Sequence, residues 1–112
     1  MIDKTTANQY TWGQNCNSWV LIDDAALSVK QENMPPGSRE QLHFHENAQQ
    51  FFFILKGSAT FYIDKEKRVI NEFQGLHIMP GQKHYIANET HHELEFLIIS
   101  QPSTNTDRFN IH

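Results

Sequence analysis

Apolar and polar residues alternate along most of this chain, or the apolar residues form short runs that end at turn residues. Both patterns are typical of β-strands, and no stretch keeps the period of about 3.6 residues that an amphipathic helix requires. The run 51–55 is apolar on both faces, which predicts a central strand. The pattern predicts strands at residues 19–22, 27–34, 41–45, 50–56, 59–64, 68–73, 76–79, 84–88 and 93–100.

Many short strands in a chain of 112 residues predict an all-β fold of the jelly-roll type, a double-sheet sandwich or barrel. An immunoglobulin-like sandwich is the alternative, but its Cys…Trp…Cys framework is missing because Cys16 is the only cysteine. The length predicts one domain over residues 1–112, with polar terminal arms at 1–9 and 102–112. We expect the first arm to be frayed or paired with a partner chain, and the second to dock on the outer surface through Phe109 and Ile111.

Charge and composition exclude several classes of function. The formal net charge is −4, and the nine Lys and Arg residues are spread thinly, without the clustered cations that nucleic-acid binding requires. No apolar run approaches the roughly 18–20 residues needed to cross a bilayer, so no membrane partner is expected. The first residues lack the apolar core of a signal peptide, and a single cysteine permits no internal disulfide. These features predict a cytoplasmic location.

Seven histidines are the unusual feature of the composition. His43 and His45 are two residues apart on a predicted strand, so their side chains point to one face and can converge on a metal ion. Gln50 begins the next strand, and His84 comes from a distant strand that a barrel brings alongside. The sequence therefore predicts a metal site made of His43, His45, Gln50 and His84.

The spacing of these residues resembles the two-part motif of the cupin family. The positions that match are Gly37, His43, His45, Gln50 and Gly57 in the first part, and Gly81, His84 and Asn88 in the second. The resemblance spans residues 37–88 and implies a double-stranded β-helix, the jelly-roll barrel of cupins. Phe73 and Met79 stand where the family has Gly and Pro, which leaves the strand register around His77 open.

Gln50 stands where the family usually has a glutamate. A carboxylate ligand would cancel one charge of a divalent ion, whereas three neutral imidazoles and an amide leave the full charge. Such a site is a poor match to the two-His-one-carboxylate oxygenases and favours polarisation of a carbonyl or hydroxy acid. Gln49 and Glu46 stay open as alternatives, since a one-residue shift of the loop would exchange the two glutamines. The metal also stays open among zinc, nickel, iron and manganese.

The resemblance implies a class of reaction. Some cupins with three histidines and a glutamine at this spacing open unsaturated uronate sugars to the linear keto form, and others are polyketide cyclases. We therefore expect a metal-dependent, non-redox isomerase, cyclase or lyase that acts on a small anionic metabolite resembling a sugar acid or keto acid. A non-catalytic module that binds or senses a small molecule is the first alternative, and an iron or manganese dioxygenase is the second.

Alternation around the predicted metal site indicates a mostly apolar cavity, in which Tyr62, His77 and Tyr85 are candidates for acid–base chemistry. Arg39 and Lys83 lie within the two motif parts and are candidates for holding a substrate carboxylate. The apolar residues on the opposite face of the strand at 50–56 need cover, and similar small cupins commonly pair, so a homodimer is expected.

Overall fold

The computed structural model describes residues 1–112 and consists of strands and turns without a helix. Every predicted strand is present, with bounds within three residues of those expected, so the all-β prediction is confirmed. The eleven strands are β1 (Asn8–Trp12), β2 (Cys16–Asp23), β3 (Ser28–Met34), β4 (His43–Phe44), β5 (Gln49–Lys56), β6 (Ala59–Ile63), β7 (Glu66–Ile70), β8 (Gly75–Ile78), β9 (His84–Ala87), β10 (Leu94–Gln101) and β11 (Phe109–Asn110).

The strands form two antiparallel sheets that enclose one core. The first sheet has six strands in the order β1-β2-β3-β10-β5-β8, and the second has five in the order β11-β4-β9-β6-β7. Neighbours in a sheet are mostly distant in sequence, which is the topology of the double-stranded β-helix, or jelly roll. The predicted fold class is therefore confirmed. No segment forms a helix of the length and hydrophobicity that a membrane crossing requires.

The core is built from alternate residues of the central strands. Phe52 and Ile54 of β5 face inward beside Phe96 of β10, the neighbouring strand. Phe61 of β6 meets them from the other sheet, with its ring centroid 4.9 Å from that of Phe52. Burial of a large apolar side chain contributes about 1.5–3 kcal/mol, so these rings fix the alignment of the two sheets. That alignment decides which residues of β4 and β9 face β5.

Each end of the chain contributes an edge strand to one of the two sheets. β1 adds an edge strand to the first sheet by pairing with β2, and β11 adds one to the second by pairing with β4. Phe109 does dock against the outer side, where its ring stacks on Phe44 at a centroid distance of 5.1 Å. The segment 102–112 is nevertheless part of the barrel wall, because it supplies a strand and reaches the site described below.

One motif glycine makes the tight link between β5 and β6. Gly57 has a φ of 82°, in the left-handed region that favours glycine. A Cβ added there would lie 2.5 Å from the carbonyl oxygen of Glu93. The glycine is therefore required by the close approach of two backbones.

The outer face of the six-stranded sheet keeps exposed aromatic residues. Phe51 of β5 is 39% exposed, and Phe73, in the turn before β8, is 70% exposed. Phe53 lies between them, with ring centroids 6.3 Å from each. We call Phe51, Phe53 and Phe73 the aromatic patch. It lies on the face opposite Gln50, as the alternation along β5 predicts.

Candidate metal centre

Three histidines converge inside the barrel. His43 begins β4 and pairs with His84, the first residue of β9, and His45 directly follows β4. The ring centroid of His43 lies 4.4 Å from that of His84 and 4.9 Å from that of His45. All three side chains are buried, and one nitrogen from each lies within 4.8 Å of the other two. Imidazoles at this spacing could bind one metal ion, at about 2.0–2.1 Å from each nitrogen.

Backbone carbonyl groups orient all three rings. A carbonyl oxygen only accepts a hydrogen bond, so each bonded Nδ1 carries the hydrogen and each Nε2 keeps a free lone pair. The Nε2 atoms of His45 and His84 have no hydrogen-bond partner. This arrangement is typical of metal-binding histidines, whose second nitrogen is held by an outer hydrogen bond. The three bonds join Nδ1 to the carbonyl oxygen of another residue: His43 to Gln41 at 2.7 Å, His84 to Gln82 at 2.8 Å, and His45 to Asp107 at 2.5 Å.

Burial keeps the three imidazoles neutral. It lowers the pKa of His43 from 6.5 to about 3, with the neighbouring His84 and Arg108 adding to the effect. It lowers the pKa of His84 to about 4 and also lowers the pKa of His45. Neutral imidazole is the form that binds metals, so these side chains need not lose a proton first.

Of the three candidates for a fourth ligand, Gln50, Gln49 and Glu46, Gln50 lies beside the histidines. It is buried and lines the same cavity as His43 and His45. Its Nε2 donates to Oγ of Ser100 at 3.0 Å, which leaves Oε1 without a partner. Oε1 is an acceptor, as a metal ligand must be.

The other two candidates lie elsewhere. Gln49 points to the outer face, where its Nε2 donates to Oε1 of Gln101 at 2.9 Å. Glu46 is exposed in the loop after β4. The regular alternation along β5 separates the two glutamines, because only every second residue faces the barrel interior.

The residues at this centre fit a divalent metal ion. Leaving a buried polar atom without a partner costs about 1–3 kcal/mol, and native proteins rarely do so. Three such atoms occur together here: Nε2 of His45, Nε2 of His84 and Oε1 of Gln50. All are acceptors, so they cannot satisfy one another, and a cation satisfies all of them at once. Three nitrogens and one oxygen suit zinc, nickel, iron or manganese.

A residue of the C-terminal segment supports this centre. Oδ1 of Asp107 accepts the backbone N–H of Glu46 at 2.8 Å, and Oδ2 accepts those of Asn47 and Ala48 at 3.0 and 2.9 Å. Burial acts to raise the pKa of Asp107, but the three N–H donors outweigh it and hold the pKa below 3.8. Since the backbone carbonyl of Asp107 also holds the ring of His45, one residue fixes both this candidate ligand and the loop that follows it.

A cavity of about 370 Å³ adjoins the histidines. Phe52 lines it as predicted, together with charged side chains of β3 and of the C-terminal segment that the sequence did not place there. Strand β3 turns Lys30 and Glu32 toward the interior, and the C-terminal segment adds Arg108. The cavity therefore suits a polar, charged ligand.

A largely buried carboxyl group lies in this cavity beside an arginine. The side chain of Glu40 is 13% exposed, and its Oε2 lies 3.8 Å from Nη1 of Arg108. Its Oε1 accepts the backbone N–H of Ile86 at 3.1 Å. Burial raises the pKa of Glu40 to about 8, although the charge of Arg108 opposes the change. Glu40 is therefore mainly a neutral carboxylic acid at pH 7.

The structure does not bring Tyr62 to the cavity. Tyr62 lies on the outer face of β6, where its hydroxyl donates to Oε2 of Glu89 at 2.5 Å and its ring stacks on Tyr85. The bond to Glu89 raises the pKa of Tyr62 to about 12. Phe61 takes the inward position on β6 because its ring packs on Phe52.

His77 and Lys83 also lie outside the cavity. His77 is exposed on β8 and shares a hydrogen bond with Oε1 of Gln49 at 2.8 Å. Its neighbours Leu76 and Ile78 take the buried positions, as the alternation of the strand requires. Lys83 lines an outer groove instead, whereas Arg39 does border the cavity.

Sequence reasoning missed Glu40, Asp107 and Arg108. Glu40 lies inside the first motif part, and an acidic residue three positions before a histidine ligand was a signal that could have been used. Asp107 and Arg108 follow a polar stretch without periodicity. The hydrogen bonds of Asp107 join it to residues about sixty positions away, so no local spacing in the sequence indicates them.

A barrel of two antiparallel sheets with three inward imidazoles beside a cavity defines a small β-barrel with a candidate metal site. The chain belongs to the cupin family, because residues 30–100 match the family model described as the cupin domain.

Two curated relatives and one solved structure illustrate this membership. The chain is 29% identical over 75 residues to an uncharacterised protein of Methanocaldococcus jannaschii, a region that covers 67% of this chain and 60% of the relative. It is 32% identical over 66 residues to an oxalate-binding protein of Thermotoga maritima, with 59% and 54% of the two chains covered. The chain thus spans little more than half the length of each relative. The structure of KdgF from a Halomonas species is similar with a TM-score of 0.85 at 11% identity, covering 95% of this chain and 96% of that one, which shows a shared fold.

Proposed function

We propose that this protein is a metal-dependent, non-redox enzyme that isomerises a small anionic metabolite of the sugar-acid or keto-acid kind. Cyclase and lyase reactions begin with the same proton transfer next to a carbonyl group and belong to the same proposal. The observation that carries it is the group of three buried imidazoles, each oriented by a backbone carbonyl, beside a cavity lined by charged side chains. His43, His45, His84 and Oε1 of Gln50 would hold one divalent ion. When bound, that ion supplies Lewis-acid polarisation of a substrate oxygen.

Charge supports an anionic substrate. Every ligand of the proposed centre is neutral, so the ion would keep its full charge. Arg108 borders the cavity with 40% of its side chain exposed, and a guanidinium binds a carboxylate in a forked geometry. Lys30 contributes a second cation. The similarity to a protein named for oxalate binding points to the same ligand chemistry.

The test is an exchange experiment that works with simple carbonyl acids as probes. Zinc-loaded protein is incubated anaerobically in D₂O with pyruvate, 2-oxoglutarate or galacturonate, and proton NMR follows loss of the C–H signal next to the carbonyl group. We expect protein-dependent exchange of at least one probe, and loss of both metal and exchange in His84→Ala. His92→Ala, in an exposed loop, is the matched control and should behave like the wild type. Absence of exchange for every probe would contradict the proposal.

The relative from Thermotoga maritima favours a second candidate function, non-catalytic binding of a small carboxylate. Calorimetry with oxalate and the zinc-loaded protein distinguishes the two. Binding of oxalate without exchange of any probe would indicate a binding module. Oxygen uptake by the iron- or manganese-loaded protein would indicate the dioxygenase alternative, against which the neutral Gln50 argues.

We further propose that the chain forms a homodimer through the aromatic patch and acts in the cytoplasm, where the unpaired Cys16 stays reduced. Exposed clusters of aromatic side chains are typical of protein interfaces. Sedimentation at micromolar concentration should give a dimer for the wild type and a monomer for Phe51→Glu. Val69→Glu replaces an apolar residue of the other sheet that is 54% exposed, and should leave the dimer intact. A monomeric wild type would refute this assignment.

A further inference from the structure

We propose that Glu40 is the residue that moves the proton in this cavity, donating it to the substrate as a carboxylic acid and then recovering one from it. This inference rests on the proposed function and names its acid–base group. The candidates from the sequence, Tyr62, His77 and Tyr85, lie outside the cavity, so the reaction needs another group.

The backbone and side chain of Glu40 are both anchored to the strand that carries a metal ligand. The backbone N–H of Glu40 donates to the carbonyl oxygen of Ile86 at 3.1 Å, and Oε1 accepts the N–H of the same residue at 3.1 Å. Ile86 is on β9, which begins at His84. The carboxyl group is therefore held against the five-stranded sheet, the sheet that contains β4 and β9.

One carboxyl oxygen of Glu40, Oε2, is available to contact a substrate. Oε1 is occupied by the N–H of Ile86, whereas the charged neighbour of Oε2 is Nη1 of Arg108, at 3.8 Å. This separation is longer than a hydrogen bond. An acidic hydrogen on Oε2 can therefore point into the cavity that Glu40 shares with His43 and Gln50.

The groups around Glu40 set a balance suited to proton transfer. The charge of Arg108, in the C-terminal segment, favours the carboxylate form of Glu40, whereas the charge of Glu32 on β3 favours the acid form. Lys30 also lies on β3, and the imidazoles of β4 and β9 are neutral. Burial outweighs the arginine and brings the pKa to about 8. A group that titrates close to the working pH is both a useful acid and a useful base.

The step is balanced for conversion of an enol to its ketone. Oε2 transfers its proton to the enol carbon, and the electron pair of the C=C bond forms the new C–H bond. A lone pair of the enol oxygen forms the C=O bond, while the hydroxyl proton passes to the Glu40 carboxylate and restores the acid. One proton has moved from oxygen to carbon without an oxidant or reductant. Arg108 is a positioning residue that stabilises the transient carboxylate.

The isosteric variant Glu40→Gln tests the inference. Acid–base groups contribute about 100- to 10,000-fold, so we expect at least about 100-fold slower exchange in the zinc-loaded variant with unchanged zinc content. Glu66→Gln is the matched control, because Glu66 is an exposed carboxyl of β7 outside the cavity. It should keep exchange within a few-fold of the wild type.

A readout without activity uses the metal-free protein. Infrared spectroscopy at pH 7 should show the carbonyl bands of protonated carboxyl groups, among them that of Glu32, whose pKa burial also raises. The component that weakens as the pH rises through about 8 should be missing in Glu40→Gln. Its persistence in that variant, or exchange at the wild-type rate by Glu40→Gln, would overturn the inference alone. A wild type that exchanges no probe would instead remove the proposed function, and the inference with it.

Discussion

Replacing Asp107 with alanine should weaken both the fold and the metal centre, although Asp107 is not a ligand. The substitution removes three backbone hydrogen bonds of 2.8, 3.0 and 2.9 Å. A hydrogen bond to a charged group contributes about 1.5–3 kcal/mol. The N–H groups of Glu46 and Asn47 lie in an exposed loop and can turn to water, whereas Ala48 is 2% exposed and cannot. We therefore expect the free energy of unfolding to fall by about 2–4 kcal/mol, well below the sum of three full bonds.

The metal centre should be affected by a separate route. The carbonyl group that orients His45 belongs to the backbone of Asp107 and survives the substitution, but the carboxylate no longer ties it to the loop at residues 46–48. Loss of outer-shell support typically weakens metal binding about 10- to 100-fold. Zinc affinity should fall within that range, with the zinc-to-protein ratio at saturation unchanged.

The two effects are measured separately. Urea unfolding of the metal-free protein gives the change in stability, and competition with a chromophoric chelator gives the zinc affinity. Asp24→Ala is the control, because Oδ1 of Asp24 accepts the N–H of Ala26 at 2.8 Å within an exposed turn far from the site in sequence. Wild-type unfolding and wild-type zinc affinity in Asp107→Ala would refute the reasoning.

Three further predictions follow from the charges around the centre. Gln50→Glu should retain zinc and bind oxalate at least about tenfold more weakly by calorimetry, because a carboxylate ligand cancels one charge of the ion; unchanged affinity would contradict this. In metal-free Glu40→Gln, the free energy of unfolding from urea titrations should fall by about 3 kcal/mol between pH 6.5 and 5, because His43 and His84 accept protons near pH 6.5 only when unfolded. The free energy of unfolding of the wild type should fall less over the same pH range. The pKa of Glu40 is raised from 4.5 to about 8, so protonated Glu40 stabilises the fold increasingly as the pH falls through that range and offsets part of the loss. In Arg108→Gln, the infrared band of protonated Glu40 should persist to higher pH than in the wild type, because the charge of Arg108 lowers the pKa of Glu40. Loss of the band at lower pH than in the wild type would be evidence against the pairing.

The sequence predicts which side chains meet inside the barrel, because the two-residue repeat of a strand carries that information. His43 and His45 share a face through the two-residue period, and Gln50 falls on the inward side of β5 together with Phe52 and Ile54. The same period excludes Gln49, once the run of five apolar residues has been assigned to the centre of the sheet.

The alternation of side chains along a strand also explains which residue predictions failed. On β6, Phe61 and Tyr62 are neighbours and both suit a cavity wall, so only packing against Phe52 in the other sheet decides which one faces inward. Lys30 and Glu32 occupy inward positions of β3 although they are charged, because this strand borders an open cavity instead of the closed core. Hydrophobicity alone assigns such residues to the outer face, and hence misses the charged side chains that line the cavity.

The proposed centre keeps negative charge away from its own ion, and this has a consequence for what it binds. The proposed ligands are neutral imidazoles and an amide. The carboxylate of Asp107 accepts hydrogen bonds from backbone N–H groups instead of facing the ion, and burial holds Glu40 as a neutral acid near pH 7. A divalent ion in a partly dry cavity is costly unless its charge is balanced nearby. With these ligands, the balance has to come from the bound molecule, so an anionic substrate would complete the coordination and not merely occupy the cavity. Zinc affinity should accordingly rise when oxalate is present and oxalate affinity should rise when zinc is present, by the same factor, since the two binding free energies are linked. Independent binding of zinc and oxalate in paired titrations would show that the charge is balanced by the protein itself.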